Sequence, residues 1–192
     1  INGNDVQIQI AHQVSRHEKN RTETQGTFAS DYINHGVSPE DAQYEYMVVV
    51  QPTPEELKAV RRKAPYRILH KDDTAHVVAD NQTGITAYAA FEAYSPAKDE
   101  IFLSIPAETM VMQKQAGSKL LLSVCDPNLN ISEKTYTTKE PSRPIEKKLI
   151  LKGKWRSTAP NNKITVHSNQ TETVLIVTCQ HGQPVEFTLS RE

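Results

Sequence analysis

The Asn34-His35-Gly36 step places an imidazole in a loop a few residues after Asp31, and His with Asp is a pairing that proton abstraction would use. A general base must be oriented and tuned by a second group, and aspartate is equally a common turn residue. Gly36 tolerates a positive φ, and Pro39 with Asp41 favours turns. The reading adopted for Asn34, His35 and Gly36 is therefore a structural turn ahead of the Tyr-rich run "QYEYMVVVQ". Upstream, Arg16, His17, Lys19 and Arg21 gather basic groups within "SRHEKNR". That cluster is a candidate contact for an acidic glycan, and an ordinary solvated loop is the competing reading. His12 and His17 bracket "QVSR", but no neighbouring Cys or carboxylate has the spacing of a third metal ligand.

Elsewhere the reactive residue types do not group. His70, His76, His167 and His181 are scattered. There is no nucleophile elbow, Gly-rich phosphate loop, zinc-protease helix motif or calcium-loop pattern. Cys125 and Cys179 lie in the apolar runs "LLLSVCD" and "VLIVTC". Two buried thiols are expected, with a bridge between core strands as the alternative. Without a His pair at short spacing they make no zinc motif. Trp155 follows the turn "KGK"; it could stack on a sugar ring but is expected to pack inside. The sequons at Asn20, Asn81, Asn130 and Asn169 point to exposed loops. No catalytic residue, metal ligand or cofactor is expected in this segment.

These groups must be held by strands. "VQIQIAHQV" alternates apolar and polar residues, and "TFASDYI" and "QYEYMVVVQ" read as two more strands. "TPEELKAVRRKAP" is the one convincing helix. Thr53 suits its N-cap, Pro54 its first position, Glu56 a capping box and Arg61 to Lys63 its C-terminal end. Leu57, Val60 and Ala64 form its apolar stripe. Ten strand patterns then recur about every ten residues, the spacing of an antiparallel β-sandwich. They are "YRILH", "AHVVAD", "GITAYAAF", "EIFLSIP", "TMVMQK", "KLLLSVCD", "IEKKLILK", "KITVHS", "ETVLIVTC" and "VEFTLS". Gly- and Asn-bearing turns separate them, and "SEKTYTTKEPSRP" (132–144) is a longer polar connection. The expected fold class is all-β: a sheet segment at 1–53, a linking helix at 54–64 and a β-sandwich at 65–192.

With 22 basic and 23 acidic residues in 192, the charge balance gives no overall attraction to nucleic acid or to a membrane surface. No apolar run reaches the length of a membrane span. Starting at Ile1, almost directly in a strand pattern, the chain reads as a processed product or an excised fragment.

The string "HQVSRHEKNRTETQGTFASDYINHGVSPEDAQYEYMVVV" resembles the distal part of the central β-region of polysaccharide lyase family 8, the chondroitin and hyaluronan lyases. "YRILHKDDTAHVVADNQTGITAYAAF" and "LLLSVCDPNLNISE" are similar to that family's C-terminal β-domain. Within the family, the order and spacing of "VSRHEKNR", "INHG", "SPEDA" and "YEYMV" are most similar to the broad-specificity chondroitin sulfate ABC lyases. The resemblance implies a parent several times longer, with a helical toroid, a large β-sheet domain and a terminal β-sandwich. Such enzymes cleave uronate-containing glycosaminoglycans by β-elimination, using residues of the helical domain and the early sheet. None of those motifs is present, so no catalytic role carries over, and whether the parent uses a divalent cation stays open. The implied partners are the upstream catalytic and central β domains and a chondroitin or dermatan sulfate substrate. The implied setting is periplasmic or secreted. A stand-alone glycan-binding or adhesion β-module is the alternative.

Overall fold

The computed structural model describes residues 6–130 and 142–192, so most of the polar connection at 132–144 lies outside the described residues. The chain divides into two compact units, Ile1–Thr53 and Pro54–Glu192.

The first unit is built on one long hairpin. β1 (Val6–Arg16) pairs antiparallel with β2 (Glu23–Ile33), in register from Val6↔Ile33 to Arg16↔Glu23. Alternation puts Ile8, Ile10 and Val14 on one face, and Phe28 and Tyr32 on the other. A two-stranded ribbon has no interior, and Ile8 and Ile10 stay 72% and 73% exposed. The run 43–51, read from sequence as a strand, is irregular. Its Tyr44, Tyr46, Val48 and Val50 alternate as a strand should, yet all four are exposed. Strand preference needs a neighbouring strand and a covered face, and neither is present here among the described residues.

The second unit begins with α1 (Pro54–Arg62), whose first turn carries Glu55 and Glu56 and whose last carries Arg61 and Arg62. Both charge sets complement the helix dipole. No residue of α1 is buried; its expected apolar stripe is only partly covered.

All ten strand patterns read in the rest of the chain form strands. They are β3 (Tyr66–Lys71), β4 (Ala75–Asp80), β5 (Ile85–Ala90), β6 (Phe102–Ser104), β7 (Thr109–Ala116), β8 (Lys119–Cys125), β9 (Ile145–Lys152), β11 (Ile164–Ser168), β12 (Glu172–Cys179) and β13 (Val185–Arg191). An eleventh, β10 (Trp155–Ser157), is a three-residue strand paired with β13. They form an antiparallel seven-stranded sheet, β10-β13-β8-β7-β5-β4-β3, and an antiparallel four-stranded sheet, β11-β12-β9-β6.

The core fills the space between the sheets. Val111, Leu120, Val124 and Leu189 come from the wide sheet, and Phe102, Leu149, Leu151 and Leu175 from the narrow one, all at most 1% exposed. Each such side chain contributes about 1.5–3 kcal/mol by leaving water. Tyr88 and Phe102 meet edge to face across the sheets, ring centroids 5.4 Å apart. In β3, the last strand in the order of the wide sheet, the β3–β4 pairing slips between Ile68 and His70, a bulge.

Candidate functional site

Arg16, His17, Lys19 and Arg21 lie at the tip of the β1–β2 hairpin. Chain reversal at residues 17–22 is fixed by His17 N–H donating to Thr22 O (2.9 Å) and Arg21 N–H donating to His17 O (2.9 Å). Arg21 takes a positive φ of 56°. Asn20 Oδ1 accepts from Thr22 N–H (3.0 Å), and His17 Nδ1 accepts from Lys19 N–H (3.3 Å). That ring nitrogen is thus used to shape the turn. Arg16, His17, Lys19 and Arg21 are all exposed, but Glu18 and Glu23 share the tip. Arg16 Nε lies 3.9 Å from Glu23 Oε2, which dilutes the positive field.

Asn34, His35 and Gly36 form a turn in which Asn34 Oδ1 accepts from Gly36 N–H at 2.9 Å. Gly36 has φ +83°, a conformation a side chain would strain. The His35 ring is half-buried and lies 6.4 Å, centroid to centroid, from Tyr44, which stacks on Tyr46 at 6.1 Å. Asp31 instead sits in β2, opposite Ile8.

In the terminal sandwich, Trp155 is 2% exposed. Its Nε1–H donates to Lys152 O (2.7 Å) and its backbone N–H to Thr173 Oγ1 (2.9 Å), so it packs inside and offers no ring face to a sugar. The cysteines differ from the expectation of two buried thiols. Cys179 is buried in the core, whereas Cys125 is half-buried, on the face of β8 that also carries the exposed Leu121. Both are free, and burial pushes both thiols above the ordinary value.

Two polar groupings were missed in the sequence. In a cleft of about 340 Å³ between the sheets, the Tyr88 hydroxyl donates to Glu100 Oε2 at 2.6 Å. Burial, then the Glu100 carboxylate, raise that phenol well above its ordinary range. Lys152 Nζ donates to the carbonyls of Ala97, Lys98 and Glu100 and clamps the loop that carries Glu100. No sequence signal joins these residues. The second grouping is Asp126 with Lys147, whose Oδ2 and Nζ lie 3.1 Å apart in the interior. A signal existed there: Lys147 shares its strand phase with Leu149 and Leu151. Among the described residues, no group of three or more His, Cys, Asp or Glu side chains could hold a metal ion. No helix among the described residues is long and apolar enough to cross a membrane.

Residues 67–135 match the polysaccharide lyase family 8, C-terminal beta-sandwich domain. The chain is 31% identical over 190 residues to the chondroitin sulfate ABC endolyase of Proteus vulgaris, covering 96% of this chain and 18% of that protein. It is 34% identical over 131 residues to the chondroitin sulfate ABC exolyase of the same organism, covering 67% of this chain and 12% of that protein. The chain thus spans less than a fifth of either relative. In fold, it is similar to the chondroitin AC lyase of Streptomyces coelicolor A3, solved in complex with chondroitin sulphate. That similarity has a TM-score of 0.66 and 14% identity, covering 97% of this chain and 24% of that one.

Proposed function

We propose that this chain, which carries the C-terminal β-sandwich domain of polysaccharide lyase family 8, is the distal, non-catalytic β portion of a longer glycosaminoglycan lyase. The parent cleaves chondroitin or dermatan sulfate by β-elimination, in a periplasmic or secreted setting. This portion braces the catalytic cleft, with the upstream catalytic and central β domains as its partners.

The observation that carries the reading is the β1–β2 hairpin. It has eleven cross-strand pairs, no further strand on either side among the described residues, and apolar side chains bare on both faces. A ribbon of this kind is marginal alone and gains its stability as part of a larger sheet. A domain upstream supplies that sheet. Within the scaffold, Asn34, His35 and Gly36 serve as a turn. Arg16, His17, Lys19 and Arg21 are offered as a glycan contact at the hairpin tip.

The test is to incubate the purified chain with chondroitin sulfate and follow the absorbance of the unsaturated uronate that β-elimination creates. No rise is expected. Sustained turnover abolished by His35→Ala would replace the scaffold reading with an autonomous enzyme.

A further inference from the structure

We propose that a cleft of about 470 Å³ in the terminal sandwich, flanked by Lys154 and Arg156, binds the sulfate or uronate group of an acidic glycan chain. The choice of glycosaminoglycan as ligand rests on the proposed function above. The site itself rests on four features of the cleft.

The cations are positioned by the fold. Gly153, at φ +82°, turns the chain out of β9, and Trp155 is drawn into the core. Strand alternation then leaves Lys154 and Arg156, on either side of Trp155, exposed on the opposite face.

The two cations converge on one anion. Lys154 Nζ lies 2.7 Å from Glu192 Oε2, and Arg156 Nε lies 3.6 Å from Glu192 Oε1. A single two-oxygen group therefore already bridges them, in the geometry a sulfate or a uronate carboxylate would adopt. The Lys154 hydrogen bond and charge hold the Glu192 carboxyl below its usual range, so near neutral pH it is a charged competitor for the site.

Beside the cations runs an apolar strip. Ile164 and Val166 of β11 are half-buried and packed against the core, and Ala159 and Pro160 continue the strip. Such a strip suits the C–H face of a pyranose ring. Hydroxyl-binding groups complete the set. Asn161 Oδ1 accepts from Lys163 N–H (2.9 Å), so its NH2 group can donate outward. Ser157 Oγ donates to Ala159 O (2.6 Å) and keeps its lone pairs for an incoming hydroxyl.

Paired cations, an apolar strip and neutral donors and acceptors are together the chemistry of an anionic sugar. The cleft volume falls in the usual range for small-ligand sites. The site is separate in sequence from the hairpin tip, which has its own basic residues.

The test titrates the 192-residue chain with a chondroitin sulfate tetrasaccharide at low salt, read by amide chemical-shift changes and by calorimetry. Shifts centred on residues 154–166 are expected, with affinity falling as salt is raised. Lys154→Gln with Arg156→Gln is expected to weaken binding roughly tenfold or more, from the loss of two charge-assisted contacts. Glu192→Gln removes the internal competitor and is expected to strengthen binding several-fold. Lys58→Gln with Arg62→Gln, two exposed cations of α1, leaves these shifts unchanged, and neutral maltotetraose produces none of them. Absence of shifts in 154–166, or equal binding by the Lys154/Arg156 variant, overturns the proposal. A chain that does not turn over substrate and also does not bind refutes this site and leaves the scaffold reading intact. A chain that binds here and turns over substrate does the reverse.

Discussion

Lys147 Nζ sits 3.1 Å from Asp126 Oδ2, with side-chain exposures of 8% and 2%. Lys147 belongs to β9 in the narrow sheet, while Asp126 directly follows β8 in the wide one, so the pair ties the sheets together. Each ion has further partners: Lys147 Nζ donates to Ala107 O at 3.2 Å, and Asp126 Oδ1 accepts from Asn128 N–H at 2.8 Å. Removing one partner strands the other charge in the interior. Lys147→Ala or Asp126→Ala is expected to cost about 3–5 kcal/mol of folding free energy. Replacing both by Leu or Met is expected to cost far less than the sum. Urea denaturation of the single and double variants measures the difference.

Trp155 supplies a second stability prediction. Trp155→Ala leaves a cavity in the core and is expected to cost about 3–5 kcal/mol. Trp155→Phe keeps most of the apolar volume but leaves Lys152 O without its indole donor, at a further cost of about 1–3 kcal/mol. Thermal melts followed by tryptophan-independent circular dichroism separate the two.

The β3–β4 turn gives a pH dependence. The Thr74 hydroxyl donates to Asp72 Oδ1 at 2.6 Å, and the amides of Ala75 and Thr74 donate to the same oxygen at 3.0 and 2.8 Å. These bonds, the Thr74 hydroxyl foremost, hold the Asp72 carboxyl far below its ordinary value. A folded-state pKa depressed in this way contributes stability that is present above the unfolded value near 4 and is lost as pH falls through the folded value. Asp72→Asn is therefore expected to be less stable than the parent at pH 6–7, the gap closing only in strong acid. Chemical denaturation across pH checks the sign.

Local stability is expected to differ between the two units. The hairpin amides of β1 and β2 have no covering layer among the described residues, whereas β8 and β12 lie inside their sheets and carry core residues. Hydrogen exchange on this chain is expected to show weak protection over residues 6–33 and the strongest protection in β8 and β12.

The terminal sandwich was legible because apolar strand runs recur between turns, and Leu120, Leu122 and Val124, or Leu149 and Leu151, share one phase and are buried. The same rule misled at Tyr44 to Val50, where alternation is present but no strand among the described residues pairs with it to make a ladder. It also misplaced Cys125, whose phase partner Leu121 faces outward. The hydrogen bonds that shape the hairpin tip and the Asn34 turn are local, between residues two apart. The Tyr88–Glu100 contact and the meeting of Lys154 and Arg156 with Glu192 depend on strand pairings between distant segments, which carry no mark in the local pattern.

The slip between Ile68 and His70 falls in β3, the strand that ends the wide sheet. A straight outer strand offers a regular comb of amide donors and carbonyl acceptors to any passing chain. Breaking the repeat at that point denies a second molecule a continuous template. The sandwich can therefore be made at high local concentration without its molecules zipping into fibrils along this border.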